Sequence, residues 1–333
     1  MAIKLAIIRR DVLIQAMRYK QANRPEKKPS LIFKYVNLMY KFCIAPMMDW
    51  SDKHCRYFWR LLTKKSRLYT EMITTGAIIH GDAARYLAFN TEEHPIAVQL
   101  GGNDSHDLAK SARICADFGY DEINLNVGCP SDRVKSGAFG ASLMNHPQTV
   151  ADGVKAMRNV VDLPVTIKCR IGVDDNDSYE ALQNFVGLNA EAGCDTFIVH
   201  ARKAWLSGLS PKQNREIPPL EYPRVFQLKQ DFPELKIILN GGLKTIAQCK
   251  QALVKLDGVM VGREAYQNPF MLSDVDSFIF GVSDTAIHDA MSIAESYASY
   301  IEQQLSLGVK LNHMTRHTLG LFNGKPGARQ YRR

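Results

Sequence analysis

Eight short apolar runs recur along this chain from Phe42 onward, separated by stretches with helical spacing. They are CIAPM (43–47), RLYTEM (67–72), IAVQL (96–100), EINLN (122–126), VTIKCR (165–170), TFIVH (196–200), KIILN (236–240) and GVMVG (258–262). Helix-like segments lie between them, such as SHDLAKSARICADFG, YEALQNFVGLNAEAG and IAQCKQALVKL. The first two end in Gly119 and Gly193, as helices do when glycine forms the C-terminal cap. Strands that are apolar nearly throughout suit a parallel sheet covered by helices. Eight strand–helix units over about 240 residues predict an α/β fold, the (β/α)8 TIM barrel. A doubly wound sheet is the alternative, but it usually carries a GxGxxG turn after the first strand, and none stands here.

After about Phe280 the strand rhythm stops. Residues 285–308 have helical spacing, and a second helix is expected over about 310–322. The expected organisation is a basic N-terminal extension (1–40), a barrel (41–280) and a small, apparently truncated all-helical domain (281–333). Residues 1–20 suit a basic amphipathic helix, transit-like or membrane-surface, and 21–30 a linker. A start site set too early is the reading preferred here, with Met39 just ahead of the organised pattern.

Charge is unevenly spread. The net charge is +8, yet residues 1–40 hold nine Lys or Arg against two acids, and the remainder holds 33 against 32. Basicity therefore says little about the main body. The exception runs from Lys310 to Arg333, with six Lys or Arg, two His and no acid. Clustered cations of this kind suit a polyanion, because binding releases its condensed counterions; a solvated tail is the plainer reading. Hydrophobic residues make up 46% and charged residues 23%, and no apolar run is long enough to span a membrane. The seven cysteines form no CxxC pair and no secretory signal is evident, which predicts a reducing cytoplasm without disulfides or structural zinc. His54, His80, His94, His106 and His146 lie apart, without a carboxylate at helical offset, so no metal site is expected.

In such a barrel the chemistry sits at the C-terminal ends of the strands. Polar or backbone-exposing residues mark those ends here: Pro46-Met47-Met48, Gln99, Asn126, Lys168 and Arg170, His200, Asn240-Gly241-Gly242, and Gly262-Arg263. The last two groups follow strands seven and eight, the usual phosphate corner, where glycine admits an oxyanion to backbone N–H groups and Arg263 adds charge. Gln99, donor and acceptor at once, suits the edge of a planar heterocycle. Lys168 suits either stabilisation of negative charge on a reduced ring or a Schiff base with a carbonyl substrate. His200 suits phosphate, ring or substrate, and the Pro46–Met48 backbone suits the support of a flat ring. Cys129 follows the fourth run directly, in a loop with Arg133, Lys135, Gly137 and Gly140, where a thiol is offered as proton donor or nucleophile. Taken singly, Cys129 also reads as a buried thiol in a tight turn. Together these residues suggest a flavin mononucleotide site.

The segments APMMDWSDKHCR, TEMITTGAIIHG, PIAVQLGG, EINLNVGCPSDRVKSGAFGASLM, VTIKCRIGVD, FIVHARKAWLSGLSPKQNREIPPLEY, ILNGGL and VGREAYQNP resemble the tRNA-dihydrouridine synthases. The stretch from His200 to Tyr222 resembles the A-type bacterial subfamily, and the likeness covers roughly Phe42 to Arg333. The resemblance implies a barrel holding FMN, with NADPH as reductant and the D-loop uridines at positions 20 and 20a of tRNA as targets. A hydride would reach uracil carbon 6, and Cys129 would protonate carbon 5 from the opposite face. Pro46, Met47, Met48, Gln99, Lys168, His200, Asn240, Gly241, Gly242, Gly262 and Arg263 would hold FMN. Asn126 and Arg170 would line the uracil side, and Lys212, Arg215, Arg329 and Arg332 would orient tRNA. Relatives usually continue beyond GARQYRR, so a weaker tRNA grip is expected. A cytoplasmic monomer without a membrane partner is expected. Two other classes stay open: a lyase or aldolase working through Lys168, and a non-catalytic tRNA-binding protein working through its basic tail.

Overall fold

Period-two alternation within the strands decides which residues reach the interior. The computed structural model describes residues 38–131, 138–282 and 289–332. The extension up to residue 37, the loop positions 132–137 with Arg133, Lys135 and Gly137, the stretch 283–288, and Arg333 lie outside the described residues. The described residues form eight strands: β1 (Phe42–Ile44), β2 (Leu68–Thr74), β3 (Ile96–Gly101), β4 (Glu122–Val127), β5 (Val165–Arg170), β6 (Thr196–His200), β7 (Lys236–Asn240) and β8 (Gly258–Val261). Their order is β1-β8-β7-β6-β5-β4-β3-β2, and every pair is parallel. The ring closes just ahead of β2. Ile44 N–H donates to the Arg67 carbonyl at 2.9 Å, and Arg67 N–H donates to the Phe42 carbonyl at 3.0 Å. The expected TIM barrel is the observed one.

The strands differ from the expectation in two respects. β3, β4 and β5 are not apolar throughout; they alternate. Ile123, Leu125 and Val127 face the helical layer and join the large outer core with Val98, Ile167 and Phe197. Glu122, Asn124 and Asn126 take the intervening positions and are buried, as are Gln99 and Thr166. A smaller apolar cluster, including Tyr69, Ala97, Ile198, Ile238 and Met260, shares the barrel interior. β1 is also shorter than the CIAPM run, because Pro46 has no N–H to continue a ladder.

The covering helices are α1 (Lys53–Leu62), α2 (Ser105–Asp117), α3 (Pro147–Arg158), α4 (Tyr179–Glu191), α5 (Tyr222–Asp231), α6 (Ile246–Leu253) and α7 (Arg263–Gln267). Gly119 (φ +93°) and Gly193 (φ +105°) end α2 and α4 in the left-handed region, where a side chain would be strained. Beyond the barrel, α8 (Ala290–Ser306) lies on α1: the Tyr300 ring stacks on Tyr57 at 3.9 Å, and Tyr297 Oη donates to the His54 carbonyl. From Met39 onward the chain is one compact unit.

The second expected C-terminal helix is a correction. Only Asn312–Thr315 is helical, and the chain then proceeds in turns closed by i→i+3 bonds, such as His317 N–H to Met314 O and Leu321 N–H to Thr318 O. Thr315 and Thr318 also bond backbone carbonyls of the preceding turn, which competes with regular helix. At Gly320 the backbone packs so tightly that a Cβ would sit 2.5 Å from the Gln267 carbonyl oxygen.

Candidate active site

The C-terminal ends of the strands open into a cavity of about 1530 Å³. Cys129 stands on its wall, half-buried, while the other six cysteines are buried. β4 ends at Val127, and Asn126 holds the turn that follows. Its Oδ1 accepts from the N–H of Gly128 at 3.1 Å and of Cys129 at 2.9 Å. Ala141 N–H donates to the Cys129 carbonyl, so the returning chain grips the same residue. Ser131 Oγ lies 3.5 Å from the Cys129 sulfur.

Strand register brings the predicted polar residues together. Asn126 pairs with Lys168, Arg170 with His200, and His200 with Asn240. Burial, with Arg170 as the next contributor, pushes the Lys168 amine down to about 8. Burial and the charges of Arg170 and Lys168 hold His200 well below its ordinary range, so the imidazole is neutral at pH 7. Arg170 is buried, and burial pushes it down to about 10. Its guanidinium donates to the carbonyls of Gly128 at 3.0 Å, Lys203 at 3.1 Å and Asn214 at 2.9 Å. It ties the β4 and β6 loops together at the mouth.

The expected phosphate corner is built tightly. Gly241 has φ +109°, and a Cβ there would lie 2.6 Å from His200 Cδ2. A Cβ on Gly242 would strike Leu220 at 2.4 Å. Tyr222 Oη donates to the Gly241 carbonyl at 2.6 Å and pins the turn. Asn240 Nδ2 donates to the Met260 carbonyl at 2.8 Å. Arg263 pairs with Glu216 at 2.6 Å and donates to the Arg215 carbonyl, so its charge is partly engaged. Pro46, Met47, Met48 and Gly262 border the same cavity, with Met48 54% exposed.

Residues 43–333 match the Dihydrouridine synthase (Dus) family model. The chain belongs to the dihydrouridine synthase family. The tRNA-dihydrouridine(20/20a) synthase of Vibrio vulnificus (strain CMCP6) is 61% identical over 294 residues, covering 88% of this chain and 90% of that one. The enzyme of the same name from Escherichia coli (strain K12) is 60% identical, covering 88% and 85%. Among solved structures, a 2-naphthoyl-CoA reductase in complex with 2-naphthoyl-CoA superposes with a TM-score of 0.56 at 12% identity. It covers 71% of this chain and 49% of its own, and shows the fold alone.

Not every residue carried over from the dihydrouridine synthase resemblance reaches the cavity. Arg215 lines it; Lys212, Arg329 and Arg332 are exposed and are not part of its wall. Gln99 lines it, but its amide is already engaged by Asn126 and Asn124 from the neighbouring strand. The sequence reading missed Arg202, two residues beyond His200, which lines the cavity and donates to the Pro218 carbonyl. It also missed Asn214, buried, whose amide bonds both backbone groups of Trp205 and so shapes the loop that Arg170 grips. The HAR triplet held the signal for Arg202; nothing local marked Asn214.

The residues present fit FMN by the chemistry of the donor set. Arg202, Arg215 and Arg263 lie near one another beside Gly241 and Gly242, whose positive φ would strain any side chain, which suits a phosphate. Lys168, Gln99 and Asn126 line the same cavity, and a cation beside amides suits a heterocycle. No helix among the described residues is long and apolar enough to cross a membrane.

Proposed function

We propose that this protein is an FMN-dependent, NADPH-driven oxidoreductase that converts uridines 20 and 20a of the tRNA D loop to 5,6-dihydrouridine. The observation that carries the reading is Cys129: of seven thiols it alone borders the cavity, beside a cationic corner and a set of fixed amides. The names of the relatives at about 60% identity supply the substrate. When bound, FMN supplies the hydride equivalent drawn from NADPH. Arg263, Arg215 and Arg202 would hold its phosphate, with Gly241 and Gly242 giving the backbone room to approach. Lys168 and His200 would lie against its ring, over the shelf of Pro46, Met47 and Met48. Cys129 holds a proton at Sγ for carbon 5 of the uracil, while carbon 6 gains the hydride; the thiol recovers its proton from solvent. The target base must leave its stack to reach the cavity. Residues 281–333, with Lys212, Arg329 and Arg332, would meet tRNA outside the mouth. A monomer in the cytoplasm agrees with this substrate.

Cys129→Ala tests the reading. The variant is expected to keep its yellow colour and to lose about 10²–10⁴-fold in turnover on tRNA, because only the acid is removed. Reduction at the unmodified rate would remove the acid assignment, and a folded, colourless protein that takes up no flavin would remove the whole reading. One observation favours a second reading: an amine held near 8 suits Schiff-base formation by Lys168. Trapping by borohydride with a carbonyl substrate would select it.

A further inference from the structure

A hydrogen-bonded line crosses the barrel interior from its closed end to the loop of Cys129. It begins at Glu122, which forms a fully buried pair with Arg67, Nη1 to Oε2 3.1 Å. Thr166 Oγ1 donates to Glu122 Oε1 at 2.6 Å. Asn124 Nδ2 donates to Thr166 Oγ1 at 2.8 Å, and Gln99 Nε2 to Asn124 Oδ1 at 2.8 Å. Asn126 Nδ2 donates to Gln99 Oε1 at 2.7 Å. At the top, Asn126 Oδ1 accepts the N–H groups of Gly128 and Cys129.

Both ends of this line have a forced sense. The carboxylate paired with Arg67 accepts, and the backbone N–H groups can only donate. A threonine hydroxyl has one proton, spent here on Glu122, so Thr166 must accept from Asn124. Each amide has one oxygen and one NH₂ group, so the direction passes upward through Asn124, Gln99 and Asn126 without choice. Turning any one amide would set donor against donor or acceptor against acceptor at both of its contacts, in a buried site where mismatches are costly.

The consequence appears at the mouth. Asn126 Oδ1 has both acceptor positions filled by the loop, and one Nδ2 proton is given to Gln99. Among the described residues, what Asn126 has left for the cavity is a single N–H donor. We propose that Glu122, Thr166 and Asn124 are positioning residues that set the polarity of the Gln99 and Asn126 amides, so that Asn126 offers a lone donor to the pyrimidine while its oxygen holds the Cys129 backbone. A lone donor matches a ring carbonyl and rejects an exocyclic amine, which favours uracil over cytosine wherever the two differ at that contact. The inference rests on the uracil-reducing reading of the site.

Thr166→Val keeps the shape and removes the proton that anchors the line; Thr166→Ser restores it. Tyr69→Phe is the control, since Tyr69 Oη also donates to Glu122 Oε1, at 2.9 Å, but lies off the line. The first readout needs no turnover: alkylation of Cys129 by iodoacetamide in the flavin-loaded protein, where the other six thiols are buried. Thr166→Val is expected to alter that rate several-fold and to lower kcat on tRNA about tenfold, as small misplacements do, with KM for tRNA unchanged. Thr166→Ser should return both to the native values, and Tyr69→Phe should lower Tm only. Asn124→Ala cuts the line one bond higher and carries the same expectation should Thr166→Val not fold. Native alkylation and native kcat in the cut variants, or the same changes in Tyr69→Phe, would overturn the proposal. If Cys129→Ala were fully active, the acid reading would fail while the alkylation comparison still decided this one.

Discussion

Lys168 shows how burial changes what a residue type can do. An ordinary lysine amine titrates near 10.5, but burial and then Arg170 push this one down to about 8. The folded chain therefore releases its proton about where the unfolded chain still holds one. Between pH 8 and 10.5 the unfolded state binds more protons, so this group makes the ligand-free protein more stable as pH rises across that window. On the proposed function, flavin affinity should move the other way, because the cation that Lys168 would offer to the anionic cofactor is lost as pH passes about 8. Flavin titrations at pH 7 and 9 check this, with Lys168→Met expected to flatten both trends; equal affinity at the two pH values would contradict it. His200 contributes no such step, since it is neutral throughout the neutral range. At the Gly241 turn its ring fills the space a Cβ would need.

At the scale of elements, the contact between α1 and the C-terminal segment turns on Asp52. Its carboxylate caps α1 by accepting from the N–H groups of His54 and Cys55, and it also accepts from Arg316 at 2.6 Å and pairs with His317 at 3.0 Å. Burial opposes its ionisation, but the bonds from His317, Cys55 and Arg316 outweigh it and hold the carboxyl well below the usual range. A depressed carboxyl contributes stability above its unfolded pKa and loses it as pH falls, so the contribution of Asp52 is lost in acid. Asp52→Ala should cost about 2–3 kcal/mol, from the lost cap and the lost charged bonds together. Asp52→Asn should recover part of that, because asparagine also caps. Denaturant midpoints measure both; a loss below about 0.5 kcal/mol would mean the latch carries little, as exposed pairs do. His54, pushed by burial down to about 4, stays neutral beside Tyr300 and bonds it at 2.8 Å.

At the scale of the molecule, charge is the guide to how tRNA would be held. The net +8 belongs mostly to residues 1–40, so affinity for a polyanion must come from local groups. Lys212, Arg329 and Arg332 are exposed and lie apart from the cavity wall. Lys212→Ala should weaken tRNA binding and reduce the slope of log K against log salt by about one, with flavin content unchanged. An unchanged slope would show that Lys212 meets no phosphate. Strand positions, helix ends at Gly119 and Gly193, and the loop of Cys129 were legible in the chain, because periodicity and turn chemistry are local. The inward polar face of β4 was legible in principle too, since Glu122, Asn124 and Asn126 stand at alternate positions. The failed helix over 310–322 was not: Thr315 and Thr318 bond backbone carbonyls of the preceding turn, and Gly320 packs against the Gln267 carbonyl, a contact between distant parts of the chain. So the sequence by itself determined the barrel and the elements that bear its candidate residues. Only the tertiary structure decided what their polar atoms do: Gln99 committed to Asn124 and Asn126, Arg170 to three loop carbonyls, Arg263 to Glu216. Those partners are set by strand register and loop closure across tens of residues; local periodicity fixes which face of a strand a residue takes, but not which side chain of another strand or loop it meets there.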